Sequence, residues 1–186
     1  TPATGTVSCV GILYIVATPL GNLQDITLRA IEILKQVDLV ACEDTRRSLQ
    51  LLNALQTKKP LLSCHGHNEA AAAVKIRNLL AEGKNIAYIS DAGTPGVSDP
   101  GARLVRVARE AGFSIVPIPG PSAFSTLVSI AGLSHTAVLF EGFLSVKGAK
   151  RRSRLQELLN RGEPFVVYES VHRIEKLLKE LFELEP

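Results

Sequence analysis

The side chains that could do chemistry fall into a few short segments. Glu43-Asp44-Thr45-Arg46 sets two carboxylates beside a guanidinium, a charge cluster that either pairs with itself or meets a polar substrate. His65, His67 and Glu69 offer two imidazoles and a carboxylate. Two histidines at i, i+2, with no cysteine or third histidine at a customary spacing, make a weak metal pattern. The plainer reading is a loop that starts a helix, with Asn68 capping it and Glu69 favoured by the helix dipole. Residues 86–101 run from an apolar strand into Asp91, Gly93, Pro95, Gly96, Asp99, Pro100 and Gly101. That is more turn chemistry than chain reversal needs, and it suits close approach of backbone to a ligand. Lys147, Lys150, Arg151, Arg152 and Arg154 crowd cations into the start of a helix, where they oppose the macrodipole. A local rule broken in this way points to a gain elsewhere, and phosphate binding is the obvious one.

The elements that must position these residues alternate. Continuous apolar runs predict strands at 11–17, 38–42, 60–64, 86–90 and 114–118. Helices are predicted at 25–37 with Asp25 as its cap, at 45–55, at 68–82 closed by Gly83, and at 99–111. Apolar strands separated by helices imply a parallel sheet covered on both faces, with right-handed crossovers. Every loop rich in polar residues, glycine or proline then falls on one rim, at the carboxyl ends of the strands, where open α/β sheets bind ligands. The fold class expected is α/β, with an N-terminal domain at 1–121 and a smaller α/β domain at 122–186. The second domain reads as a small-residue helix at 122–131, a strand at 136–140, a helix to about 161, a strand at 165–168 and a last helix to 182. It is thin enough to look incomplete.

With 186 residues, 46% apolar and 21% charged, the chain has ordinary globular composition and length enough for a real core. A net charge of +3 does not by itself demand a polyanionic partner. Cys9, Cys42 and Cys64, odd in number and without C-x-x-C spacing, read as reduced thiols and a cytoplasmic setting. No apolar run approaches the ~20 residues of a membrane span. There is no G-x-x-x-x-G-K-[ST], no G-x-G-x-x-G after the first strand and no G-x-S-x-G, which disfavours P-loop, ordinary dinucleotide and α/β-hydrolase chemistry. His135 and His172 stand alone and read as surface or structural residues.

Taken in order, Thr18-Pro19-Leu20-Gly21-Asn22-Leu23-Gln24-Asp25-Ile26-Thr27, Glu43-Asp44-Thr45-Arg46, His67-Asn68-Glu69, Ser90 to Gly101, Pro119 to Ala123, and Tyr168-Glu169-Ser170 with His172-Arg173 form a set. The set resembles the small-subunit ribosomal RNA methyltransferase I family, within the tetrapyrrole-methylase-like (class III) superfamily. The resemblance covers residues 11–182. Ser145 and Val171 stand where that family usually has prolines, and the family continues beyond residue 186, so the chain resembles a fragment.

The resemblance implies S-adenosylmethionine-dependent 2′-O-methylation of a cytidine ribose in 16S ribosomal RNA, a homodimer, and no metal. It implies a donor in the cleft between the two domains, contacted by Leu20, Asp91, Ala92, Gly93, Thr94, Val97, Ser122, Ala123 and Tyr168. A weakly acidic ribose hydroxyl gains from a general base, for which the rim offers Glu43, Asp44, His67 and Asp25. The segment from Lys147 to Arg154 would grip RNA phosphates. Two rivals stand beside this reading: a sister enzyme methylating a tetrapyrrole or other small molecule, and a non-catalytic module that binds RNA or cofactor.

Overall fold

The computed structural model describes residues 10–134 and 137–185. Cys9 and His135 lie outside them. The chain divides into two units after Ala123.

The first unit holds strands β1 (Ile12–Val16), β2 (Leu39–Cys42), β3 (Leu61–Ser63), β4 (Ile86–Ile89) and β5 (Ser114–Ile118). Between them run helices α1 (Leu28–Gln36), α2 (Thr45–Ala54), α3 (Glu69–Ala81) and α4 (Ala102–Glu110). All ladders are parallel, in the order β3-β2-β4-β1-β5. Side chains alternate across the sheet as a strand requires. Leu13, Ile86 and Tyr88 pack with Ile76, Leu80 and Leu104 of α3 and α4 on one face. Val16, Ala87 and Ile89 pack with Ala30, Leu34 and Leu52 of α1 and α2 on the other. Strands buried on both sides explain why each reads as an unbroken apolar run.

Two caps differ from expectation. Asp25 ends a short 3-10 turn (Leu23–Asp25) whose cap is Asn22, and α1 begins later, with Thr27 Oγ1 accepting from Ala30 N at 3.1 Å. A threonine two positions on outcompetes the aspartate because the intervening turn uses up the first polar residues. Asn68 precedes α3 but makes no capping bond. Its amide instead donates to Ser63 O (3.1 Å) and accepts from His65 N (2.8 Å), tying the loop after β3 to its own strand.

The second unit takes in all but the first residue of α5 (Ala123–Ile130), then β6 (Leu139–Phe143), α6 (Gly148–Asn160), β7 (Phe165–Tyr168) and α7 (Ile174–Leu184). Strands β6 and β7 pair in parallel, with a register shift between Phe140 and Gly142. β6 starts three residues later than expected, and Thr136 lies outside the described residues. Leu144, Leu155, Leu158 and Leu177 form the core. Arg151 lies within it, 1% exposed, with Nε and Nη2 donating to the Glu180 carboxylate at 2.7 and 2.6 Å. Leaving a buried guanidinium without its partner is costly, so Glu180→Ala is expected to lower stability by about 3–5 kcal/mol in denaturant unfolding.

Gly101 opens α4 with φ +128°, and a Cβ there would lie 2.6 Å from Tyr88 Cε1. Gly101→Ala is therefore expected to cost about 2–4 kcal/mol, from backbone strain plus overpacking. Gly66→Ala, where a Cβ meets nothing within 4 Å, is expected to be close to neutral in the same measurement.

Candidate functional site

Strand β4 enters the sheet between β2 and β1, so the loop that leaves it is flanked by the loops leaving both neighbours. It bonds to each. Gly93 and Thr18 exchange backbone hydrogen bonds, both 2.9 Å. Thr18 Oγ1 donates to Ser90 O (3.2 Å), and Thr94 Oγ1 donates to Pro121 O (3.0 Å) beyond β5. On the other side Asp91 Oδ1 accepts from Asp44 N at 3.1 Å, and its second oxygen lies 3.5 Å from an Arg47 nitrogen.

Two hollows open on this junction and share Asp91. One, of about 420 Å³, lies between the loop after β1 and helix α2, with Leu20, Gly21, Arg47, Leu51, Asp91 and Ala92 in its wall. The other, of about 450 Å³, is a shallower groove over Glu43, Arg46, Ser63, His65, His67 and Asp91. A smaller apolar cavity of about 190 Å³ lies under the far end of the loop, against Tyr88, Pro95, Gly101 and Val105.

The acids of the junction are made unequal by their surroundings. Asp44 caps α2 and is gripped by Arg46, whose backbone N and Nη2 both donate at 2.8 Å. The Arg46 side chain and then its backbone N–H hold the Asp44 carboxyl down at about 2. Glu43 moves the other way, raised first by burial and then by the negative charges of Asp91 and Asp99, with Arg47 a partial offset. Asp99 is raised chiefly by burial too.

Of the residues singled out in the sequence, the first unit brings Leu20, Glu43, Asp44, His67, Asp91 and Ala92 to these two hollows. Gly93, Thr94 and Val97 continue the same loop, and Ser122 and Ala123 follow β5. Asp25 is exposed and lines neither hollow. His65, His67 and Glu69 do not converge as metal ligands. Glu69 turns away, its Oε1 accepting from Gly101 N (2.9 Å), Arg103 N (3.0 Å) and Leu104 N (3.4 Å), and no group of three metal-ligating side chains occurs among the described residues. The cysteines Cys42 and Cys64 are buried, and burial raises both thiols.

In the second unit Tyr168 packs edge-on against Phe140 and Phe143, and its hydroxyl accepts from Phe124 N at 3.0 Å. Glu169 holds the following turn by accepting from Ser170 N and Arg173 Nε. The basic segment is not a row of free cations. Arg151 is buried on Glu180, Arg152 pairs with Glu183, and Arg154 pairs with Glu141 and Glu157. Lys147 and Lys150 are exposed, with no ion pair among the described residues. The pairing acids come from β6, α6 and α7, outside the sequence window in which the segment looked unopposed.

The model of the Tetrapyrrole (Corrin/Porphyrin) Methylases matches residues 12–186. The chain belongs to that family. It is 47% identical to a ribosomal RNA small subunit methyltransferase I of Borrelia garinii subsp. bavariensis, over 91% of this chain and 76% of the relative. It is 49% identical to the protein of that name from Haemophilus influenzae (92% and 60%) and 51% to that from Pasteurella multocida (88% and 58%). These relatives place it in the ribosomal RNA small subunit methyltransferase I branch, and the chain spans about three fifths of the length of two of them. A uroporphyrin III C-methyltransferase structure from Thermus thermophilus shares the fold, with TM-score 0.65 and 21% identity over 94% of this chain and 77% of that one. No helix among the described residues is long and apolar enough to cross a membrane.

The contrast between the adjacent acids gives opposite pH behaviour. Folding favours ionised Asp44, so the stability it contributes is present above the unfolded carboxylate range, near about 3.9, and is lost as pH falls through about 2. Folding disfavours ionised Glu43, so Glu43→Gln is expected to raise the melting temperature at pH 7. Carboxylate titration by NMR is expected to show Asp44 ionising well below Glu43, and Arg46→Ala is expected to raise Asp44 and narrow the gap.

Proposed function

We propose that the protein methylates the 2′-hydroxyl of a cytidine ribose in small-subunit ribosomal RNA, using S-adenosylmethionine, in the cytoplasm. The observation that carries the chemistry is the pair of hollows meeting at Asp91 beside a carboxylate whose proton affinity is raised. The names of the relatives carry the substrate class. The methyl donor fits the residues present. The hollow between the loop after β1 and α2 has the volume of a nucleoside-sized site, apolar surface from Leu20 and Leu51, and the Asp91 carboxylate for a cationic ligand. Leu20, Asp91, Ala92, Gly93 and Thr94 would hold it, with Val97, Ser122, Ala123 and Tyr168 as further contacts expected from family position. When bound, the donor supplies an electrophilic methyl group on a sulfonium.

Glu43 is the base best suited to the ribose. A base works best when its proton affinity approaches the working pH, and burial with like-charged neighbours moves Glu43 in that direction. The guanidinium on Asp44 makes it a weaker base. Glu43 would receive the hydroxyl proton as the ribose oxygen bonds to the methyl carbon and the carbon–sulfur bond breaks, the sulfur leaving as a neutral thioether. Arg46, paired with Asp44 at the groove's edge, would meet RNA phosphate with its remaining donors. In the second unit Lys147 and Lys150, without an ion pair among the described residues, would bind phosphate, whereas Arg151 would first have to leave Glu180. A second copy of the chain as partner is part of the same proposal.

Methyl transfer to 30S particles and to naked RNA tests this reading. Glu43→Gln is expected to lower turnover by about 10²–10⁴-fold with donor affinity unchanged; wild-type turnover would remove Glu43 from the chemistry. Replacing Lys147 and Lys150 together with alanine is expected to flatten the salt dependence of RNA binding by about 1.4 in slope. An unchanged slope would place the RNA elsewhere.

A further inference from the structure

We propose that Glu69 is a positioning residue for the methyl donor, a role that rests on the function proposed above. Helix α4 has no cap of its own, because its N-cap position is Gly101. Nor could a serine or aspartate stand there, since a Cβ at that place would strike the Tyr88 ring at 2.6 Å. The cap must reach in from another element, and Glu69 provides it. One carboxylate oxygen receives the backbone N–H groups of Gly101, Arg103 and Leu104. A negative charge at a helix N-terminus is favoured there as well.

This carboxylate closes the far end of the loop whose near end is fixed by Thr18 on Gly93. Residues 95–100 are thus suspended between two held ends, the near one tied by Thr18 on Gly93 and by Thr94 on Pro121, the far one by the first residue of α3. Glu69 is itself held, because Asn68 beside it is tied to Ser63 and His65. The groove at His65 and the donor loop therefore share one mechanical connection. With Glu69 removed, the loop keeps its near anchor and loses its far one, and a misplacement of even an ångström in a donor site is costly.

Titration calorimetry with S-adenosylmethionine, paired with hydrogen exchange at the amides of residues 101, 103 and 104, tests this. Glu69→Ala is expected to weaken donor binding by about tenfold or more and to speed exchange at those amides. Glu69→Gln keeps an acceptor oxygen at the same reach and is expected to recover most of both, so it decides the matter if the alanine variant does not fold. Asn85→Ala removes the acceptor for Ile12 N at the opposite rim of the sheet, and is expected to lower the melting temperature while leaving donor affinity unchanged. Donor affinity within about twofold of wild type in a folded Glu69→Ala, or equal weakening by Asn85→Ala, overturns the inference. A wild-type chain that binds no donor overturns the functional reading instead, while the amide exchange still reports whether Glu69 holds the loop.

Discussion

Two backbone hydrogen bonds between Thr18 and Gly93 join the loops that leave β1 and β4, and the surface above them takes its form from that join. A loop this rich in glycine and proline has no ladder to fix it. Its conformation comes from what it touches: Thr18 and Pro121 on one flank, Asp44 on the other, and Glu69 at its end. Thr18, Pro121 and Asp44 lie in the segments that follow β1, β5 and β2, and Glu69 opens α3. The sheet's order, which sets β4 between β2 and β1, is what makes simultaneous contact possible.

The electrostatics follow from the same placement. Asp44 and Glu43 are neighbours in the chain, yet a helix start and a guanidinium stabilise charge on one, while burial and two further acids disfavour it on the other. Adjacent carboxylates pushed apart in proton affinity are a common arrangement where one must hold structure and the other must exchange a proton. Asp91 is bonded to the backbone of Asp44 and stands in the walls of both hollows.

The strands were legible because burial on both faces leaves one pattern, a short apolar run, and β5 and β7 match their expected ranges residue for residue. The one-sided rim was legible from the same alternation. Helix caps were not, because Asp25, Thr27 and Asn68 are all good cap residues and only the surrounding turn decides which one serves. Glu69 was read as serving its own helix and serves another, a contact some thirty residues away that no local pattern encodes. The ion pairs of the basic segment were hidden for the same reason: Glu180 and Glu183 lie on a different helix, and nothing near Arg151 in the chain announces a buried pair.

The strand order also bears on how the chain is made. Among the described residues β1 pairs with β4 and β5, so during synthesis it waits for this sheet's partners until residues 86–89 arrive. β2 and β3 can zip together in the meantime, leaving two separate bare edges waiting for one insertion. Unpaired edges of this kind invite pairing with other chains. The nascent first unit is therefore a natural client for chaperones up to the moment its central strand slots in, and the same event assembles the ligand rim.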